Sequence, residues 1–189
     1  PAIQGLYDPR HEHDSCGVGF VVNVKGEPSH KIVEQGIEVL LSLAHRGACG
    51  CEANTGDGAG ILIQTPHKFL HKVCEPLGIH LPAPGQYGVG MVFLPPEIHS
   101  RRECEEIFQE AVQAEGQRFL GWRTVPSVND LLGETAKDEE PVVRQAFIGR
   151  NPDIQDDLAF ERKLYVIRRR TTSAIWSARL PEASCFYIP

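Results

Sequence analysis

Apolar residues recur along this chain at two spacings, and the spacings alternate. Residues 16–24, CGVGFVVNV, are rich in β-formers and run into the turn signal Lys25-Gly26, so a strand is expected there. Ser29 is a good N-cap, and Ile32, Val33, Ile37, Leu40, Leu41 and Ala44 follow it at the spacing of one helix face. Residues 46–60 lose this periodicity and hold Gly47, Gly50, Gly56, Gly58 and Gly60, which predicts a loop with positive-φ positions or close approaches. ILIQ at 61–64 reads as a buried strand, and Pro66 suits the first turn of a helix running to about Leu77. YGVGMVFL at 87–94 predicts a strand closed by Pro95-Pro96. A long helix follows from about Ile98 to Glu115, with Cys104, Ile107, Phe108, Ala111 and Val112 on one face. Strands at 119–125 and 142–149 bracket an acidic, loop-like stretch around Lys137-Asp138-Glu139-Glu140. A last helix over about Asp157–Ser177 carries Phe160, Leu164, Ile167, Thr171 and Ala174 as its stripe, and a strand at 184–188 ends the chain.

Strands and helices in alternation, with no repeat, low-complexity tract or interdomain linker, define one α/β-type unit. The pattern by itself suggests a two-layer or a doubly wound sheet, with parallel strands, and does not choose between them. With 41% apolar residues the chain can build a core, and its net charge of −6 argues against a polyanion such as nucleic acid as partner. Arg168-Arg169-Arg170 is expected to be a solvated helix face. No stretch reaches the ~18 apolar residues of a membrane span, and the first fifteen residues hold no apolar run of a signal peptide. The chain starts at Pro1 and stops at Pro189 inside an expected strand, so both ends are expected to be cut. The six cysteines match no disulfide framework, which favours a reducing, cytoplasmic setting. His45, Cys49 and Cys51 lack zinc-site spacing, and no metal is expected.

Two segments carry candidate chemistry. In Asp14-Ser15-Cys16-Gly17-Val18-Gly19-Phe20 a cysteine opens an apolar strand between small residues. A strand end is a rigid mount for a nucleophile, and Gly17 and Gly19 leave room for a substrate or a second backbone. The bland alternative is a small buried core cysteine, which spacing alone favours. The second segment is His45-Arg46-Gly47, directly after the first helix. An arginine there complements the helix dipole. The glycines that follow do not make a phosphate loop, since neither Gly-Lys-Ser/Thr nor G-x-G-x-x-G at a strand-to-helix turn is present.

The segments LYDPRHEHDSCGVGFVVNVKG, LLSLAHRGACGCEANTGDGAGILIQTPHKFL, FERKLYVIRRR and CFYIP resemble, in this order, the amidotransferase region of glutamate synthase large subunits, over about Leu6 to Ile188. The CGVGF…HRG pair is shared by class II glutamine amidotransferases generally, while GDGAG and FERKLYVIRRR point to glutamate synthases among them. The resemblance implies an α+β fold: a four-layer αββα N-terminal-nucleophile hydrolase with two stacked antiparallel sheets, incomplete on its C-terminal side. It replaces the parallel sheet that the pattern suggested. Residues 1–15 then form a propeptide-like segment, and 16–189 the N-terminal part of the amidotransferase domain.

The same resemblance makes Cys16 the nucleophile, after cleavage between Ser15 and Cys16. Its thiolate would attack the side-chain amide of L-glutamine, and ammonia would leave. Water would then hydrolyse the γ-glutamyl thioester to glutamate. A freed α-amine, of reference pKa ~7.7–8.0, can act as the base; an amide nitrogen cannot. Arg46 and Gly47 would organise the same corner. The family completes its oxyanion hole with an Asn-Gly pair and clamps the substrate with an arginine of a His-Ser-Arg-Phe-type segment. This chain holds no Asn-Gly, and His99-Ser100-Arg101 comes too early and in the wrong context, so both elements are expected beyond Pro189. In the parent, ammonia would pass to 2-oxoglutarate in a region carrying FMN and an iron–sulfur cluster, neither of them held by this segment. A small NAD(P)H-oxidising subunit or ferredoxin would supply electrons, in the cytoplasm or, in a plant or alga, the plastid. The alternatives are an amidotransferase serving another acceptor and a non-catalytic glutamine-binding module of the same fold.

Overall fold

The computed structural model describes residues 17–44, 55–56, 58–181 and 183–189. The chain divides into two compact units, Pro1–Gln64 with Asp130–Ala136, and Thr65–Asn129 with Lys137–Pro189.

In the first unit, Asn23 to Gly26 form the expected turn. Gly26 takes φ 70°, its N–H donates to the Asn23 carbonyl at 2.9 Å, and Asn23 Oδ1 accepts from Lys25 N at 2.8 Å. Helix α1 (His30–Ser42) starts after Ser29, whose extended backbone at φ −148° ends the preceding segment without a side-chain cap bond. Its inner face is Ile32, Val33, Gly36, Val39, Leu40 and, one residue past its end, Leu43, all half-buried. Ile37 and Leu41, expected on that face, are exposed.

The strands expected at 16–24 and 61–64 are not formed: residues 17–23 and 61–64 join no ladder. Val18, Phe20, Val22 and Val24, one face of an extended chain, are all exposed, and Leu62 is 99% exposed. Alternation states which face a strand would bury. The strand itself exists only through a neighbour that accepts its backbone hydrogen bonds.

The second unit holds a three-stranded antiparallel sheet of β1 (Tyr87–Leu94), β2 (Arg118–Thr124) and β3 (Val142–Gly149), in the order β1-β3-β2. It opens with α2 (His67–Cys74), preceded by Pro66 and prolonged by one tight turn to Leu77. Helix α3 (Ile98–Ala114) joins β1 to β2, and α5 (Asp157–Ala178) follows β3. A five-residue helix, α4 (Glu134–Asp138), lies in the stretch expected to be loop. Since β1 and β2 each run against β3, they are parallel to one another across it. The alternating pattern therefore detected a real strand–helix–strand crossover. It could not detect that β3 inserts between the two strands and reverses the pairing.

Both faces of the sheet are covered. Val92, Leu94, Ala146 and Ile148 meet Cys104, Phe108, Ala111 and Val112 of α3 and Ile167 and Ile175 of α5. Tyr87 and Phe147 face Leu70 and Cys74 of α2 and Ile79. Burial of β3 on both sides explains why residues 146–150 are continuously buried. The line of α5 runs Phe160, Ile167, Thr171, Ile175; Ile175 takes the place expected for Ala174, which is exposed. In place of a strand at 184–188 there is a turn at Ala183–Cys185 and one bridge, Phe93 to Tyr187, on the free edge of β1, with N···O distances of 2.9 and 3.1 Å. Among the described residues no helix is long and apolar enough to cross a membrane.

A bulge in β2 between Phe119 and Gly121 lets Phe119 and Trp122 share one face and turns Leu120 to the other. Gly121 sits at φ 154°, and a Cβ there would stand 2.7 Å from Ile79 Cγ1. Gly121→Ala is expected to destabilise the unit by about 1–3 kcal/mol, through backbone strain and the clash with Ile79. Urea unfolding monitored by circular dichroism measures this, and an unchanged midpoint would remove the constraint assigned to Gly121.

Candidate active site

Cys16, Arg46 and Gly47 lie outside the described residues, as do His45, Cys49, Cys51 and Asp57. Of their covalent neighbours, Gly17, Ala44, Gly56 and Gly58 are among the described residues. Gly17, bonded to Cys16, rests on Leu43, which caps α1 three positions before Arg46: a Cβ on Gly17 would stand 3.1 Å from Leu43 Cδ2. Two residues on, a Cβ on Gly19 would stand 2.5 Å from Val39 Cγ1. The chain leaving Cys16 thus runs antiparallel to the last turn of α1; a side chain at Gly19 would collide with Val39, and one at Gly17 would press tightly on Leu43. The sequence-based expectation that these glycines leave room for substrate or backbone is corrected accordingly.

A third contact follows the same rule. Gly36 lies inside α1, where glycine costs about 0.5–1 kcal/mol relative to alanine. A Cβ there would approach Ile61 Cδ1 to 2.8 Å. A glycine interrupting an otherwise strong helix pattern is a readable signal of close approach. These three glycines bring 17–19, α1 and Ile61 together within the first unit.

Other candidate groups have structural roles. Arg101, of the His99-Ser100-Arg101 segment, donates from Nη1 to the Pro95 and Pro96 carbonyls at 3.2 and 2.6 Å, fastening the entry of α3. Glu97 caps that helix by accepting from His99 N and Ser100 N at 2.9 and 2.7 Å, and these bonds hold its carboxyl down to about 2. Arg170 pairs with Glu115. Burial pushes the Cys104 thiol up to about 11, with Cys185, Glu103 and Glu105 adding to it. Burial also raises Cys74, against the opposing charge of Arg123. Both thiols are poor nucleophiles near neutral pH. They sit in separate core clusters on opposite faces of the sheet.

The second unit has a pocket of about 240 Å³ lined by Thr65, His67, Pro84, Gly85, Tyr87, Asp157, Phe160 and Glu161. His67 Nδ1 and the Tyr87 hydroxyl are hydrogen-bonded at 3.1 Å. Burial raises the pKa of Tyr87, with a further contribution from Cys74. Arg150, its side chain 3% exposed, pairs with Asp157 at 2.5 Å and donates to the Ile154 carbonyl at 2.7 Å. Among the described residues its wall carries two carboxylates, Asp157 and Glu161, beside His67 and Tyr87.

A family profile described as "Glutamine amidotransferases class-II" matches residues 16–189. The chain belongs to this family, the class II domains of the N-terminal-nucleophile hydrolases, with a mixed α+β architecture and an antiparallel sheet. Within it, the similarity is to glutamate synthases. The chain is 47% identical to the NADPH glutamate synthase large chain of Bacillus subtilis (strain 168), over 90% of this chain and 11% of that protein. It is 40% identical to the NADH glutamate synthase of Schizosaccharomyces pombe, over 93% of this chain and 8% of that protein. It is 37% identical to a chloroplastic ferredoxin-dependent glutamate synthase of Oryza sativa subsp. japonica, over 89% and 11%. The chain thus spans about a tenth of the length of these relatives.

Proposed function

We propose that this chain is part of the glutaminase site of a glutamate synthase, with Cys16 as the nucleophile that releases ammonia from L-glutamine. The observation carrying the proposal is that the family match begins at Cys16, the cysteine of the CGVGF segment, and runs on through Arg46 and Gly47. The low nucleophilicity of the buried thiols at 74 and 104, and the seating of Gly17 on Leu43, support the same reading. Residues 1–15 are then a propeptide, and Arg46 and Gly47 shape the corner in which the thiolate attacks. The oxyanion donor and the carboxylate clamp come from residues beyond Pro189.

In the parent, the released ammonia converts 2-oxoglutarate into a second glutamate. That step draws on FMN and an iron–sulfur cluster held elsewhere, with a small NAD(P)H-oxidising subunit or ferredoxin as electron source. The setting is the cytoplasm, or the plastid of a plant or alga. Arg46 provides the test. Arg46→Ala in the complete parent is expected to lower glutaminase kcat at least a hundredfold, on the order seen for loss of one oxyanion-stabilising group, while the melting temperature stays close to wild type. A helix-terminal charge alone is worth ~0.3–1 kcal/mol of stability and nothing in turnover. Normal kcat with a lowered melting temperature would therefore remove Arg46 from the site.

A further inference from the structure

Gly17 and Gly19 meet α1 at a matched spacing. In an extended chain, residues two apart point to the same side and stand about 6.6 Å apart. On a helix, residues four apart share a face and rise about 6 Å. Gly17 faces Leu43, and Gly19 faces Val39, four residues earlier. The seat is held by the helix, because Leu43 N donates to the Val39 and Leu40 carbonyls at 3.1 Å.

The side chains around these glycines make the register unique. Gly17 and Gly19 are the only glycines in residues 16–23. A slide of one residue would turn Val18 onto α1, together with Phe20 or Cys16. Val18 and Phe20 now point away, 88% and 90% exposed. A slide of two residues would set Val21 against Val39 or Ser15 against Leu43, where a Cβ has only 2.5 or 3.1 Å. A one-residue slide would carry residue 16 about 3.3 Å along the chain. An attacking atom must stand about 3–3.5 Å from its target, and a misplacement of about 1 Å can cost on the order of a hundredfold in rate.

We propose that Val39 and Leu43 are positioning residues for the nucleophile: through Gly19 and Gly17 they fix the place of the chain that carries Cys16. The inference rests on the reading of Cys16 as that nucleophile. Both residues act through the backbone of 17–19.

The test uses the complete parent, at a temperature well below the melting of every variant. Gly19→Ala puts a methyl where Val39 Cγ1 stands and pushes the chain off α1. Glutaminase kcat is expected to fall about tenfold to a hundredfold. KM for glutamine should change little, since the interaction lost is one of placement and not of substrate binding. Glutamate synthesis from added ammonia should be unchanged. Adding Val39→Ala removes the colliding carbon and leaves Val39 Cβ at 3.8 Å from the new methyl, which takes the vacated place. The pair Gly19→Ala with Val39→Ala should therefore recover most of kcat. Leu43→Ala, which empties the seat of Gly17, should lower kcat in the same way, and Leu43→Met should restore it. Wild-type kcat in Gly19→Ala or Leu43→Ala, an equal loss of ammonia-dependent synthesis, or a paired variant no better than the single one would overturn the proposal. Cys16→Ala, measured alongside, separates the two levels. If it retains turnover, the reading of Cys16 fails; if it is inactive while one of those results is found, the positioning role alone fails.

Discussion

In the complete parent enzyme, Cys16→Ala is expected to abolish ammonia release from glutamine and to leave glutamate synthesis from added ammonia intact. On the proposed assignment the Cys16 thiolate forms the bond that breaks the amide, and nothing at that position in the variant can replace it. Loss of a nucleophile in acyl-transfer enzymes costs roughly 10⁴–10⁶-fold in turnover, so the effect should reach the detection limit of a glutaminase assay. Cys16→Ser should fail almost as completely, because a serine hydroxyl is far less ionised than a thiol at the same pH. Ammonia-dependent synthesis is the internal control, since it uses the parent but not the thiol. Substantial glutamine-dependent turnover by Cys16→Ala would end the assignment of Cys16. The buried Cys104, pushed up to about 11, is not a credible substitute.

Release of the Cys16 amine should have an effect of similar size. While Ser15 is attached, the nitrogen of Cys16 belongs to an amide and cannot take a proton from the thiol. Residues 1–15, with Asp8, Arg10, Glu12 and Asp14 among them, are also expected to crowd the glutamine pocket. On the proposed reading, cleavage between Ser15 and Cys16 supplies the base and opens the site in one event. A diazo-ketone analogue of glutamine should label the mature, complete amidotransferase domain at Cys16 and leave the uncleaved form unlabelled. Mass spectrometry of the labelled peptide reads the result. Equal labelling of the two forms would mean that Cys16 uses another base, for which a histidine of the segment His11 to His13 is the nearest in sequence.

Much of the second unit was legible as local pattern. β1, α3, β3 and α5 fall within one or two residues of their expected limits, because each combines a clear period with a clear stop. Pro95-Pro96 closes β1, since proline cannot donate to a ladder, and Asp156 opens α5 by accepting from Leu158 and Ala159. The resemblance to class II amidotransferases was equally legible, because it rests on the identity and order of residues and needs no geometry.

Tertiary structure alone decided the rest. Alternation could not give strand direction, because β3 enters between β1 and β2 from a distant part of the chain and hydrogen bonds to both. The extended runs at 17–23 and 61–64 show the same limit from the other side. They have strand composition and no ladder, since a strand is a relation between two segments and not a property of one. The glycines at 17, 19 and 36 were visible as letters, yet only the packing of α1 shows what each one admits: Leu43, Val39 and Ile61. Leu158, Tyr165 and Trp176 of α5 read as ordinary helix periodicity until burial of the opposite face shows which of its two apolar sides the core has taken.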